Sequence, residues 1–275
     1  MSKTSWVPPT NPAMPDFLFD LPLAITGPMI IGGLCLFAIS GLLLVRRFVL
    51  PHLRIHIDDS QFSGSMVQCV MVFYGLAVAL IAVSVSQTYS DVSKLVSGEA
   101  TALASLYRDM SCYPESIRSQ MQGELRDYVH YVIHEAWPLQ QHGQIPGGGV
   151  ALMNQFQATL ISFEPATEGQ KILHAEALRA YNNMIQARRL RLDAVGTGLP
   201  GVMWAVIIVG AIISLGATFF FKVEDARLHG ILVTLLAGFM GLVIFMILAL
   251  DQPFRGDLGI GPQSYQLIYD HLMKP

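Results

Sequence analysis

The chain has 275 residues, of which 52% are hydrophobic and only 13% are charged. Soluble domains carry about 25% charged residues, so this composition indicates an integral membrane protein. The formal net charge of −3 and the lack of a basic stripe argue against a nucleic-acid-binding protein. Three cysteines are too few for a disulfide framework, and two of them, Cys35 and Cys69, lie within apolar stretches.

The chain begins with a proline-rich stretch, residues 1–20, which we expect to lie at the membrane surface as an interfacial segment. A first transmembrane helix is predicted over residues 21–45, where the apolar run ends at Arg46 and Arg47. Residues 46–65 are too polar and too few for a domain, and we interpret them as a linker.

The second predicted transmembrane helix, residues 66–109, is the longest helical run in the sequence. Its first part, Met66–Ser86, has no charged residue and is long enough to cross a bilayer. Its second part, Gln87–Asp109, is polar, but no proline or turn separates it from the first part. At 1.5 Å per residue such a helix would extend roughly 65 Å, about twice the hydrocarbon thickness. We therefore expect one helix that continues from the membrane into a soluble domain.

Residues 110–199 are predicted to form that soluble domain, and the apolar spacing in them is helical throughout. Thr167 and Gln170 have the spacing of a capping box and predict a helix start. Two further transmembrane helices are predicted over residues 200–221 and 228–250, followed by a C-terminal segment, residues 251–275. The predicted fold is an all-α integral membrane protein of four transmembrane helices, with a helical soluble insertion between the second and the third.

The central parts of the predicted spans contain no Asp, Glu, Lys, Arg or His. This argues against a proton relay or an ion-coupled transporter, which place such groups near the midplane of the membrane. A passive pore does not need them, and with four spans per chain it would lie on the axis of a symmetric ring. The second helix carries a candidate pore-lining stripe at helical spacing: Phe73, Ala77, Leu80, Ser84 and Gln87. The alternative is that this stripe packs against the other spans, and pattern alone favours that alternative.

Two histidine pairs have one-turn spacing: His52 with His56, and His130 with His134. Such a pair can bind a transition metal, but no third ligand stands at a useful spacing, so we favour solvated histidines and predict no metal site and no cofactor. No nucleophile elbow, phosphate loop or metal-hydrolase motif is present, so nothing in the sequence predicts an enzyme.

The last predicted helix of the soluble domain ends with a cluster of three arginines, Arg188, Arg189 and Arg191. Glu99, Arg108 and Asp109 of the long helix are candidates for structural salt bridges with this cluster. Alternatively, the arginines of several subunits would form a positive vestibule that concentrates anions.

Four segments carry a resemblance to a known family: Glu99–Arg108, His134–Pro138, Arg188–Leu192 and Leu250–Gly256. They resemble the Glu-Ala…Leu-Tyr-Arg, Glu-x-Trp-Pro, Arg-Arg-x-Arg-Leu and Leu-Asp-x-Pro-Phe-x-Gly patterns of the bestrophin-like family of bacterial membrane proteins, which is distantly similar to bestrophin anion channels. The last segment supplies the post-membrane motif of Asp251, Pro253, Phe254 and Gly256. The acid-rich calcium clasp of animal bestrophins is reduced here to Asp251 and Asp257.

The resemblance implies a homo-oligomeric, pentameric anion channel with chloride-type conductance, in which the second helix forms an apolar neck. It also implies a bacterial inner-membrane protein whose soluble domain and termini are cytoplasmic. Arg46, Arg47 and Arg54 in the first linker predict the opposite orientation, and we follow the resemblance. The expected partners are the lipid bilayer, further copies of the chain and small inorganic anions. The alternative function is a non-conducting scaffold or sensor whose helical insertion binds a partner protein.

Overall fold

The computed structural model describes residues 21–52, 57–221 and 225–274, and the side chains of residues 57–63 are outside this description. The predictions made for residues 1–20, for Arg54 and for His56 therefore fall outside the described residues. Within the described part every regular element is helical. The α-helices are α1 Leu23–Leu44, α2 Ile57–Asp109, α3 Glu115–Tyr131, α4 Trp137–Gln140, α5 Gly148–Ser162, α6 Glu168–Asp193, α7 Gly201–Phe219, α8 Ala226–Asp251 and α9 Gln263–Ile268.

Helix α2 is longer than the sequence predicts. It has 53 residues and begins at Ile57, so the second half of the predicted linker is helical. The polar composition of this stretch suggested a linker, although neither Ser63 nor Gly64 interrupts the helix.

Four helical stretches are long and apolar enough to cross a membrane: Leu23–His52, Gly64–Cys112, Glu168–Phe219 and Ala226–Asp251. They contain α1, the apolar part of α2, α7 and α8. The all-helical class and the four membrane-length helices are thus confirmed, and the protein is a membrane protein.

The described chain divides into two compact units. The span unit comprises residues 21–87 and 198–252, and the helical unit comprises residues 88–197 and 253–274. The chain passes from one unit to the other within α2, near residue 198, and after Gln252.

The span unit is built on a close pairing of α1 and α8. Gly241 of α8 lies 3.0 Å, measured from the position that a Cβ would take, from the Cα of Ile31 in α1. Gly41 of α1 lies against the ring of Phe219 in α7, at 2.5 Å by the same measure. Small residues at such positions let helices approach closely in a membrane. Gly32 and Gly33 of α1 have open space around the corresponding positions instead.

The helical unit has a continuous core between α2, α3, α5 and α6. The helical apolar spacing predicted for this domain is seen in α3, whose apolar face is buried at Met121, Leu125, Tyr128 and Val129. The predicted capping box is confirmed: the Gln170 backbone N–H donates to Thr167 Oγ1 at 3.2 Å, and the Thr167 N–H donates to Gln170 Oε1 at 3.3 Å. This cap fixes the start of α6, whose last two turns carry the predicted arginine cluster.

Candidate functional site

The predicted pore-lining stripe of α2 points away from the other helices of the span unit. Phe73 is 74% exposed and Leu80 is 64% exposed, whereas Val78 and Val85 of the same helix are buried. The Tyr74 hydroxyl donates to the Ile207 carbonyl of α7 at 3.1 Å and orients the buried face of α2. Phe73 and Leu80 therefore do not pack in the core of their own chain, which was the alternative interpretation of the stripe.

The remaining stripe residues are consistent with this orientation. Ser84 and Gln87 are exposed, and Ala77 is half-buried. The exposed face of α2 is broader than the stripe, because Val72, Leu76 and Val83 are exposed as well. A lipid layer or a second copy of the chain can cover such an apolar face, so the pore-lining role stays a prediction.

A buried ion pair lies at the centre of the helical unit. Arg191 of α6 is 1% exposed and Glu99 of α2 is fully buried. Arg191 Nε donates to Glu99 Oε2 at 2.5 Å, and a second guanidinium nitrogen lies 3.4 Å from Oε1. This forked geometry matches a guanidinium to a carboxylate, and it joins α2 to α6.

Polar and aromatic side chains complete the surroundings of this pair. Arg191 donates to Gln140 Oε1 at 2.6 Å, and the Tyr128 hydroxyl donates to Glu99 Oε1 at 2.8 Å. The guanidinium lies 5.5 Å from the ring centroid of Trp137 and 5.7 Å from that of Tyr265, within cation–π range. Both buried charges thus have hydrogen-bonding partners, as buried ions require.

Burial controls the ionisation of the two tyrosines in this cluster. It raises the pKa of Tyr128, because the charged phenolate would lose its solvation, and the negative charge of Glu99 adds to the increase. Burial likewise raises the pKa of Tyr265, against the opposing effect of Arg191. Both tyrosines are therefore neutral at physiological pH.

The post-membrane motif has two structural roles. Asp251, the last residue of α8, accepts hydrogen bonds from the Leu199 backbone N–H at 2.5 Å and from Trp204 Nε1 at 3.2 Å. It thereby fixes the start of α7 within the span unit. The turn that follows contains Gly256 at φ +72°, a left-handed conformation that favours glycine.

Beyond this turn, Phe254 is buried against Trp137, with ring centroids 5.7 Å apart. Trp137 Nε1 also donates to the Ile260 carbonyl at 3.1 Å, and the Tyr89 hydroxyl donates to the Leu258 carbonyl at 2.9 Å. These contacts bind the C-terminal segment to α2 and α4 of the helical unit.

The four sequence segments that carry the resemblance therefore meet in one place. Glu99, Trp137, Arg191 and Phe254 come one from each segment, and the structure connects them through the contacts given above. A model of the bestrophin-like domain matches residues 32–265, well over half of the chain. The chain belongs to the bestrophin-like family. No curated protein and no solved structure matches it.

The structure corrects one prediction for the arginine cluster of this bestrophin-like chain. Arg191 is buried and paired with Glu99, so its predicted role as a vestibule charge is wrong. The reason is its position on the inner face of α6. The Glu99–Arg191 salt bridge is one of several pairings that the sequence allowed between this cluster and the acidic residues of α2. Arg188 is half-buried, 6.0 Å from the ring centroid of Tyr128, and Arg189 is exposed.

The described histidines of the two pairs, His52, His130 and His134, lie at the surface of the bestrophin-like chain. The rings of His130 and His134 lie 4.3 Å apart and both side chains are exposed. His52 Nδ1 lies 2.9 Å from the Phe48 carbonyl, within hydrogen-bond distance. In the described part of the chain, no group of three or more His, Cys, Asp or Glu side chains is placed to hold a metal ion.

Sequence reasoning missed several members of the central cluster. Gln140 and Tyr265 stand far from Arg191 in the sequence, and no local motif marks either of them. The one available signal was the chemistry of arginine: a buried guanidinium needs more than one hydrogen-bond acceptor and favours flat aromatic neighbours.

Proposed function

We propose that the chain is the subunit of a homo-oligomeric, pentameric anion channel that conducts chloride-type ions passively through an axial pore. The observation that carries the proposal is the outward-facing apolar surface of α2, with Phe73 and Leu80 exposed, in a member of the bestrophin-like family. An apolar constriction can gate by wetting and dewetting, and the positive edge of an aromatic ring tolerates a partly dehydrated anion.

In this proposal Phe73, Ala77, Leu80, Ser84 and Gln87 line the pore. Arg189, which is exposed, and Arg188, which is half-buried, supply positive charge to a vestibule. The buried Glu99–Arg191 pair holds the helical unit together and does not contact the ion.

The test is chloride flux from proteoliposomes that contain the purified full-length protein, compared with a Phe73→Ala variant. Phe239→Ala is the matched control, because Phe239 of α8 is also a phenylalanine on a membrane-length helix and is 66% exposed. We expect Phe73→Ala to change the rate or selectivity of flux and Phe239→Ala to leave both unchanged. Equal effects of the two variants would contradict a pore lined by Phe73.

We also propose that the protein resides in a bacterial inner membrane with the helical unit in the cytoplasm. Cys112 is an exposed thiol in that part of the chain, and Cys69, also exposed, is removed by substitution with serine. An impermeant thiol reagent should then label Cys112 only after spheroplasts are permeabilised. Labelling of intact spheroplasts would reverse the orientation.

A second candidate function is a non-conducting scaffold or sensor whose helical unit binds a partner protein. Ile161, near the end of α5, and Ile172, near the start of α6, favour it because both are large, apolar and exposed on a soluble unit. Oligomer counting separates the two functions: a closed ring is required for the axial pore, and a monomer or dimer would leave only the scaffold or sensor.

A further inference from the structure

A second buried carboxylate lies in the helical unit, away from the Glu99–Arg191 pair. Glu124 of α3 is 7% exposed and faces α5. Its Oε1 atom accepts a hydrogen bond from Thr159 Oγ1 at 2.9 Å and one each from the Nε2 atoms of Gln120 and Gln155 at 3.2 Å. We call these four residues the Glu124 cluster.

This carboxylate has no positive partner in the part of the chain that the structure describes. No Lys, Arg or His side chain forms a salt bridge with it there. Its second oxygen, Oε2, is buried and has no hydrogen-bond partner. A buried charge requires a partner, and a bare carboxylate oxygen in a native protein calls for a bound ion or water.

We propose that the Glu124 cluster binds a hard, oxygen-preferring monovalent cation, Na⁺ or K⁺, between α3 and α5. The Glu124 carboxylate and the Thr159 hydroxyl supply oxygen ligands in the orientation that they already have. Gln120 and Gln155 present an oxygen ligand in place of the nitrogen when their side-chain amide groups flip. The oxygen and nitrogen atoms of an amide occupy nearly equivalent positions, so the flip needs no other change.

The spacing of the cluster suits coordination by oxygen. A hard cation of about the size of Ca²⁺ holds its oxygen ligands at roughly 2.3–2.6 Å, so that neighbouring ligand oxygens are roughly 3.3–3.7 Å apart. The amide groups lie 3.2 Å from Glu124 Oε1, close to this separation. The cluster contains no nitrogen or sulfur ligand of the kind that zinc and copper prefer, and its single negative charge balances a monovalent ion.

The arrangement follows from helical spacing on two facing helices. Gln120 and Glu124 are four residues apart on α3, and Gln155 and Thr159 are four residues apart on α5, so each pair lies on one face of its helix. The two glutamine side chains are exposed and the other two are buried, which gives the site an opening to solvent. A bound cation would join α3 to α5 and make the stability of the helical unit depend on salt composition.

The test is thermal unfolding of the purified full-length protein in detergent, followed by tryptophan fluorescence. Chlorides of Na⁺, K⁺ and choline are compared at equal ionic strength, so that the anion and the screening stay constant. We expect Na⁺ or K⁺ to raise the Tm in a saturable way relative to choline, and Glu124→Gln to abolish the difference. Glu164→Gln, which removes an exposed carboxylate beyond the end of α5, should respond as the wild type does.

A second variant guards against a folding defect in Glu124→Gln. Thr159→Val keeps the carboxylate and the shape of the side chain but removes the hydroxyl ligand, and we expect it to raise the half-saturating cation concentration roughly tenfold. Broadening of the sodium NMR line by the wild type, reversed by K⁺, would report binding directly. Equal Tm values in choline and in Na⁺ or K⁺, or a response that Ca²⁺ alone produces, would overturn the proposal.

Discussion

Glu99 and Arg191 are 92 positions apart in the sequence, and their side chains form a forked ion pair that is almost completely buried. Two buried ions are expensive to desolvate, and the pair is tolerated because Tyr128 and Gln140 provide additional hydrogen bonds. The pair fixes the position of α6 against α2, and aromatic contacts of Arg191 reach the C-terminal segment through Tyr265.

Removal of one member of this pair should destabilise the helical unit strongly. Glu99→Gln leaves Arg191 buried without its counter-charge, and we expect a loss of about 3–5 kcal/mol in the free energy of unfolding. The measurement is chemical denaturation in detergent, followed by circular dichroism. Glu176→Gln is the control, because it breaks an exposed ion pair with Arg179 in the same unit and should change the free energy by less than about 1 kcal/mol. Similar losses in both variants would contradict a special role for the buried pair.

Asp251→Ala should destabilise the span unit by a different mechanism. The substitution leaves the Leu199 N–H and Trp204 Nε1 without their acceptor, and each unsatisfied buried donor costs about 1–3 kcal/mol. We expect the Tm to fall and the fluorescence maximum to shift as the indole of Trp204 loses its hydrogen bond. Asp127→Ala, at an exposed position of α3, should leave both unchanged. An Asp251→Ala protein with the wild-type Tm would show that this cap is dispensable.

Features that depend on local sequence patterns could be predicted from the sequence, whereas contacts between distant segments could not. The capping box at Thr167 and the helical apolar spacing of residues 110–199 are local patterns, and both were predicted. The pairing of Glu99 with Arg191 was one of several charge pairings that the sequence allowed. The aromatic partners of Arg191 were not predicted, because contacts between distant segments depend on tertiary packing.

The sequence alone could not predict that the side chains of Phe73 and Leu80 point away from the other helices of the span unit. In a membrane, lipid-facing residues are as apolar as buried ones, so helical periodicity does not separate an outward face from an inward one. The burial of Arg191 among three arginines of one helix was equally hidden, because only the orientation of α6 decides which of them points inward.

Alkaline pH should reveal the buried tyrosines. Their pKa values are raised above the ordinary value of about 10, so between that pH and their own pKa the folded state holds protons that the unfolded state has lost. The stability they contribute is therefore complete below about pH 10 and is lost as the pH rises above it. We expect tyrosinate absorbance to show residues that ionise only on unfolding, and Tyr128→Phe to reduce that fraction. Complete ionisation of the folded protein near pH 10 would contradict the burial of both hydroxyls.

Arg189 is the exposed member of the arginine cluster at the proposed vestibule. A surface charge that concentrates anions acts through a long-range field, which salt screens over about 10 Å at 0.1 M and over about 3 Å at 1 M. Arg189→Glu should therefore reduce chloride flux in proteoliposomes at low ionic strength and have little effect at high ionic strength.

Arg179→Glu supplies the matched control for that prediction, since Arg179 is an exposed arginine of the same helix α6. It changes the charge of the protein by the same amount, so a shared response would indicate a general charge effect. A loss specific to Arg189→Glu that disappears at high salt would place Arg189 beside the path of the anion. A loss of equal size at both salt concentrations would instead indicate a structural defect, because screening does not restore a misfolded subunit.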